Sequence, residues 1–116
     1  MKIFNRSTKE VLFEVEGDSL EGADLRNVDL RNADLLDANL ENADLRNADL
    51  RNANFQNANL RDANLRDADL RNANLCGANF RNANLWNASL EGAFLRDANF
   101  QGSILPDGIP VIENLD

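Results

Sequence analysis

The stretch Ala43-Asp44-Leu45-Arg46-Asn47-Ala48-Asp49-Leu50-Arg51-Asn52-Ala53-Asn54-Phe55 decides how the rest of the chain is read. A large apolar residue falls there every fifth position, with alanine two residues before it and Asp or Asn between. The rhythm runs outward in both directions, from Leu20 to Phe100, through 17 positions without a gap. Alanine keeps its place from Ala23 to Ala98 except at Val28. The unit is Ala-Asp/Asn-Leu-x-x, and x-x is most often Arg-Asn or Arg-Asp.

A period of five fits neither regular element. On an α-helix, steps of five advance the direction by about 140°, which sprays the leucines around the axis. On a continuous strand an odd period sends successive leucines to opposite faces. A short extended piece followed by a corner resolves the conflict. Within the piece Ala and Leu, two apart, point to one side and the residue between them points away. Four right-angled corners close a square of 20 residues, and further coils stack on it at roughly 4.8 Å. Seventeen units predict a little over four coils and a column about 20 Å tall.

The corner chemistry agrees. The last position of each unit is Asn, Asp or Gly throughout, from Gly22 to Gly102. These residues tolerate positive φ at least steric cost. Glycine at Gly22, Gly77, Gly92 and Gly102 predicts a different turn type at some corners.

These units resemble the pentapeptide-repeat family, whose consensus is A(D/N)LXX. The resemblance covers roughly residues 18–105 and implies an all-β fold, a right-handed quadrilateral β-helix (solenoid). It also implies that "function unknown" is a common description, that cyanobacteria are the usual hosts, and that some members mimic duplex DNA and bind type II topoisomerases.

The ends differ in character. Residues 1–17 predict a β-hairpin cap, with Ile3–Asn5 and Glu10–Glu16 flanking a turn at Arg6–Lys9, and with Val11, Phe13 and Val15 alternating. A stacked column needs caps, because its terminal coils expose edges and core. Residues 106–116 predict the C-terminal cap. Pro106, Gly108 and Pro110 stop regular coiling, and Ile109, Val111, Ile112 and Leu115 cover the last coil. A self-capped monomer is expected, with an end-to-end homodimer as the alternative.

Composition narrows function. The chain has 116 residues, 20 acidic and 12 basic, for a net charge of −8. That balance argues against direct nucleic-acid binding. There is no His, so the usual general base and the commonest metal ligand are missing. A single Cys76 excludes an intrachain disulfide and a cysteine-rich zinc site, and no resolving thiol, His or Lys lies near it in sequence. No catalytic, cofactor or metal residue is assigned, and no enzyme activity is expected. The repeated carboxylates interchange with Asn, which cannot replace a catalytic acid but accepts the same turn hydrogen bonds. A filled Leu/Ala axis leaves no interior cavity. No apolar run approaches a membrane span, and the N-terminus lacks a signal-peptide core, so a soluble cytoplasmic protein is expected.

Residues 20 apart lie above one another, so the faces read as columns. One face carries Arg26, Arg46, Arg66 and Trp86; the next carries Arg31, Arg51, Arg71 and Glu91. Asp neighbours offset the stacked Arg repulsion, and Trp86 caps the Arg66 column through a cation–π contact. The fourth face carries Leu36, Gln56 and Cys76, with Asn54, Asn74 and Phe94 beside them, and is the least charged. Leu36, Gln56, Cys76, Phe94 and Trp86 are therefore the candidate partner surface. The function expected is a rigid protein-binding or scaffold module with an unidentified protein partner. The alternative is a DNA-mimic inhibitor of a type II topoisomerase such as gyrase, weakened by a net charge of only −5 over residues 18–105 (14 acidic, 9 basic).

Overall fold

Each unit spends three residues in an extended piece and two in a corner. The Leu20 carbonyl accepts the Ala23 N–H at 3.0 Å, closing a four-residue turn around Glu21 and Gly22. The same bond recurs at every corner up to the one joining Phe100 and Ser103. The last residue of each unit has φ between 57° and 74°, while the residue before it does not enter that region. Positive φ at the third turn residue alone is the type II signature. The glycine corners share it, which corrects the expectation of a second turn type. Asn and Asp reach this region almost as easily as Gly, so all the corners can be alike. What glycine does at Gly77, Gly92 and Gly102 is different: a Cβ there would collide with Oδ1 of Asn57, Asn72 or Asn82 in the coil below.

In the computed structural model, which describes residues 1–108, these pieces stack into an all-β, four-sided β-helix of a little over four coils. Parallel bridges join residues 20 apart, from Asp24 with Asp44 to Asn84 with Ile104. Between coils the Asp44 N–H donates to the Ala23 carbonyl (2.9 Å), and the Leu25 N–H donates to the Asp44 carbonyl (2.8 Å). Every fifth residue from Leu20 to Leu85 is buried along the axis, Phe55 and Phe80 included, and the alanines from Ala43 to Ala88 are buried beside them. Each buried Leu contributes about 1.5–3 kcal/mol. The rings of Phe80 and Phe100 stack 4.9 Å apart. Ser103 stands where alanine otherwise would, fully buried, and its hydroxyl donates to the Phe100 carbonyl. Among the described residues no helix is long and apolar enough to cross a membrane.

The N-terminal hairpin comprises β1 (Lys2–Asn5) and β2 (Val11–Glu14), and β1 also pairs antiparallel with β3 (Ala33–Asp34) of the first coil. Ile3 is buried, and Leu12, Phe13 and Val15 pack on the core's lower end. The expected alternation of Val11, Phe13 and Val15 is broken. A bulge between Ile3 and Phe4 puts Phe4 opposite Val11, and Val11 is 49% exposed. One extra residue in β2 turns the side chains beyond it to the other face.

At the far end the coil runs further than expected. Pro106 holds the position above Trp86, and its carbonyl accepts the Asn87 N–H (2.8 Å). The regular corner then gives way to a Leu105-Pro106-Asp107-Gly108 turn in which Gly108, not Asp107, has positive φ. The expected covering role of Ile109, Val111, Ile112 and Leu115 lies outside the described residues.

Candidate functional site

The outward residue of each unit has a local duty. Asp24 Oδ1 accepts the Arg26 N–H at 3.2 Å, and Asn59 and Asn84 do the same for Arg61 and Trp86. This Asx bond needs only an acceptor oxygen, which is why Asp and Asn alternate freely there. The carboxylates on this column are turn braces.

Where the outward residue is Asp and the next is Arg, a second function appears. Arg26 Nε and Nη2 both bond Asp24 at 2.9 Å, and Arg31, Arg46, Arg51 and Arg71 grip Asp29, Asp44, Asp49 and Asp69 in the same forked way. Contacts also run between coils, from Arg26 to Asp44 at 3.8 Å and from Arg51 to Asp69 at 3.6 Å. The guanidinium hydrogen bond holds the Asp24 carboxyl down at about 2, and it lowers Asp29, Asp44, Asp49 and Asp69 as well. Two adjoining faces are thus self-neutralised lattices whose hydrogen-bonding capacity is largely spent within the chain.

Trp86 ends the Arg ladder of its face. The Arg66 guanidinium lies 5.0 Å from the centre of the Trp86 ring, the expected cation–π contact. Gly108 lies close to the same ring: a Cβ there would be 3.2 Å from Cδ1.

The fourth face is built otherwise. Asp34, Asn54, Asn74 and Phe94 stack in one column by parallel bridges, and Leu36, Gln56, Cys76 and Arg96 stand beside them. Leu36 is 48% and Phe94 61% exposed, and Cys76 is half-buried with a free thiol. Small Cys76 and side-chain-free Gly77 leave an open depression of about 350 Å³ between Gln56, Asn74, Arg96 and Asp97. The structure therefore brings Leu36, Gln56, Cys76 and Phe94 onto one face. Trp86 it does not: its unit lies two corners before that of Phe94, on the opposite side of the square. Arg96 and Asp97, outside the expected surface, place charge at the upper end of the depression, and Asp34 and Asp37 do so in the coils below. Counting 20 residues on from Cys76 would have found Arg96; the depression's signal was Cys-Gly in place of Arg-Asn.

The sequence matches the pentapeptide repeats family over residues 19–47, 43–82 and 78–107, with 8 copies of the repeat. No curated protein matches. Among solved structures, alr5209, a pentapeptide repeat protein from Nostoc PCC 7120, is 33% identical over 80% of this chain and 77% of its own, with a TM-score of 0.52. Rfr23, a pentapeptide repeat protein from the cyanobacterium Cyanothece 51142, is 44% identical over 66% of this chain, with a TM-score of 0.47. QnrB1, a plasmid-mediated fluoroquinolone resistance protein, is 27% identical over 71% of this chain, with a TM-score of 0.39. The chain spans 49% of the length of Rfr23 and 44% of that of QnrB1. The unit, the four-sided coil and the match over most of the repeat agree: the chain belongs to the pentapeptide-repeat family.

Proposed function

We propose that this chain is a non-catalytic, rigid scaffold that binds a protein partner through its fourth face. One observation carries the reading. Two adjoining faces pair their Arg and Asp side chains with one another, whereas the fourth carries exposed Leu36 and Phe94 on the same face as an open polar depression lined by Gln56, Asn74, Cys76 and Arg96. Exposed apolar anchors beside a polar depression on a rigid support suit a protein interface. The filled axis offers no cavity for a substrate.

The test is a pull-down from the native host with three proteins. Leu36→Glu/Phe94→Glu alters the fourth face, and Arg46→Gln alters the opposite one. A partner retained by wild type and Arg46→Gln but lost from the double variant supports the reading. The same partners on all three would overturn it.

Net charge of −8 favours a second reading, duplex-DNA mimicry toward a topoisomerase. The ladders argue against it, because the Arg side chains clamped onto Asp24, Asp29, Asp44, Asp49 and Asp69 interrupt any continuous negative stripe. The chain is therefore predicted not to inhibit gyrase supercoiling at micromolar concentration. Inhibition in that range would restore the mimicry reading.

A further inference from the structure

The lower end of the column, away from the fourth-face depression, carries a second surface. From Asp44 onward each outward residue bonds downward through its main chain, as Asp44 does to Ala23 and Leu25, whereas Asp24, Asp29 and Asn39 of the first coil do not. Asp24, in the first coil, has no coil beneath it. Among the described residues its N–H and C=O have no hydrogen-bond partner. The hairpin does not fill the place, since β1 runs under β3 on another face and β2 is the outermost strand of the order β2-β1-β3. An unpaired ladder edge inside a protein is a template for one more strand.

This edge opens onto a groove of about 370 Å³ between the end of the hairpin and the first coil. Phe13, Val15 and Ala23 line it as half-buried apolar groups packed on the core. Exposed Glu14, Glu16 and Glu21 line it as well, and none of the three makes an ion pair among the described residues. Lys2 stands opposite Glu14 in the hairpin register but forms no ion pair with it. Residues 10–24 contain Glu10, Glu14, Glu16, Asp18, Glu21 and Asp24 and no Lys or Arg. Among the described residues, Asp24 is the only one of these in an ion pair, with Arg26, and the Met1 ammonium beside them donates to the Val15 and Gly17 carbonyls rather than to a carboxylate. Unlike the Arg-laddered faces, this end has carboxylates to spare.

We propose that the groove docks an extended cationic segment of a partner protein, which adds as a strand beneath Asp24. Its main chain offers a C=O to the Asp24 N–H and an N–H to the Asp24 C=O, as the coils above do for one another. Alternate side chains then divide by chemistry: apolar ones settle against Phe13, Val15 and Ala23, and Lys or Arg meets Glu14, Glu16 and Glu21. Main-chain bonds supply affinity and the alternation supplies specificity, the logic of strand addition at a sheet edge. This surface is independent of the fourth face, so either assignment can fail without the other.

The test uses the full chain and a fluorescein-labelled hexapeptide of alternating Lys and Val, read by fluorescence anisotropy and by amide chemical shifts. Binding is expected to shift the amides of Asp24 and Phe13. Replacing Glu14, Glu16 and Glu21 together by Gln should weaken it by about tenfold or more, as should N-methylation of the central peptide residues, which keeps the charge but removes main-chain donors. Arg81→Gln, three coils above Glu21, should leave it unchanged. Equal affinity for the methylated peptide would reduce the effect to diffuse electrostatics and overturn the proposal. So would equal affinity of the Gln variant, absence of binding at millimolar peptide, or self-association of the protein that competes the peptide away.

Discussion

At the scale of the residue, the fifth position of each unit carries the tightest demand. Asn42 sits at φ 61° with its N–H donated to the Arg61 carbonyl. A β-branched side chain is strained in that region by about 1–2 kcal/mol. Asn42→Val is expected to lower the unfolding midpoint, and Asn42→Gly to leave it nearly unchanged; thermal denaturation of the two checks this, and equal midpoints would deny the corner its role. The alanines impose the opposite limit. Ala63 is buried on the axis, so Ala63→Leu is predicted to overpack it and cost about 1–3 kcal/mol. A melt no lower than wild type would count against an inward Ala63. Both positions were legible in the sequence, because a period of five with turn-formers at the fifth place admits few geometries. The role of the corner glycines was not. Their φ matches that of their Asn neighbours, and the side chain that claims their Cβ space belongs to a residue 20 positions earlier.

At the scale of the element, the Asp/Arg ladders carry a pH signature. Asp24 is held at about 2, and Asp29, Asp44, Asp49 and Asp69 are lowered, in each case chiefly by the guanidinium hydrogen bond. An Asp freed by unfolding titrates near 3.9, so on acidification the unfolded chain takes up protons first. The ladder's stabilisation is therefore complete above about pH 5 and is lost as pH falls toward 2. These pairs are solvent-exposed, so the expected effect is modest and shrinks in high salt. Replacing Arg26, Arg31, Arg46, Arg51 and Arg71 by Gln should flatten the fall in melting temperature between about pH 5 and pH 2. An unchanged slope would show that the pairs contribute nothing. The ladders and the Arg66–Trp86 contact could be read from the sequence, because each Arg follows its Asp by two residues and 20-residue arithmetic places the partner in the next coil. The bulge of β1 and β2 could not, since nothing local marks which of Val11 and Leu12 is the extra residue.

At the scale of the whole molecule, the column separates its surfaces by what each leaves unsatisfied. Two faces pair their charges, one exposes Leu36 and Phe94 beside a polar depression, and among the described residues the lower end keeps an open ladder edge with carboxylates in no ion pair. The paired charges and the apolar residues of the fourth face were legible in the sequence, because columns follow from the repeat; the depression was not. The open edge at Asp24 depends on where the hairpin docks, which no periodicity reveals. Grouping Trp86 with Phe94 puts shared apolar character above the columns, which already place Trp86 on the Arg66 face, two corners before Phe94. Cys76, the chain's only cysteine, stands beside the fourth-face depression and allows the proposed contact to be tested in place. A photo-reactive maleimide on Cys76 is predicted to cross-link a specific host protein, while the same reagent on the opposite face, in Cys76→Ser/Arg46→Cys, captures none. Equal capture from both faces, or capture only from the opposite one, would contradict a scaffold that binds through its fourth face.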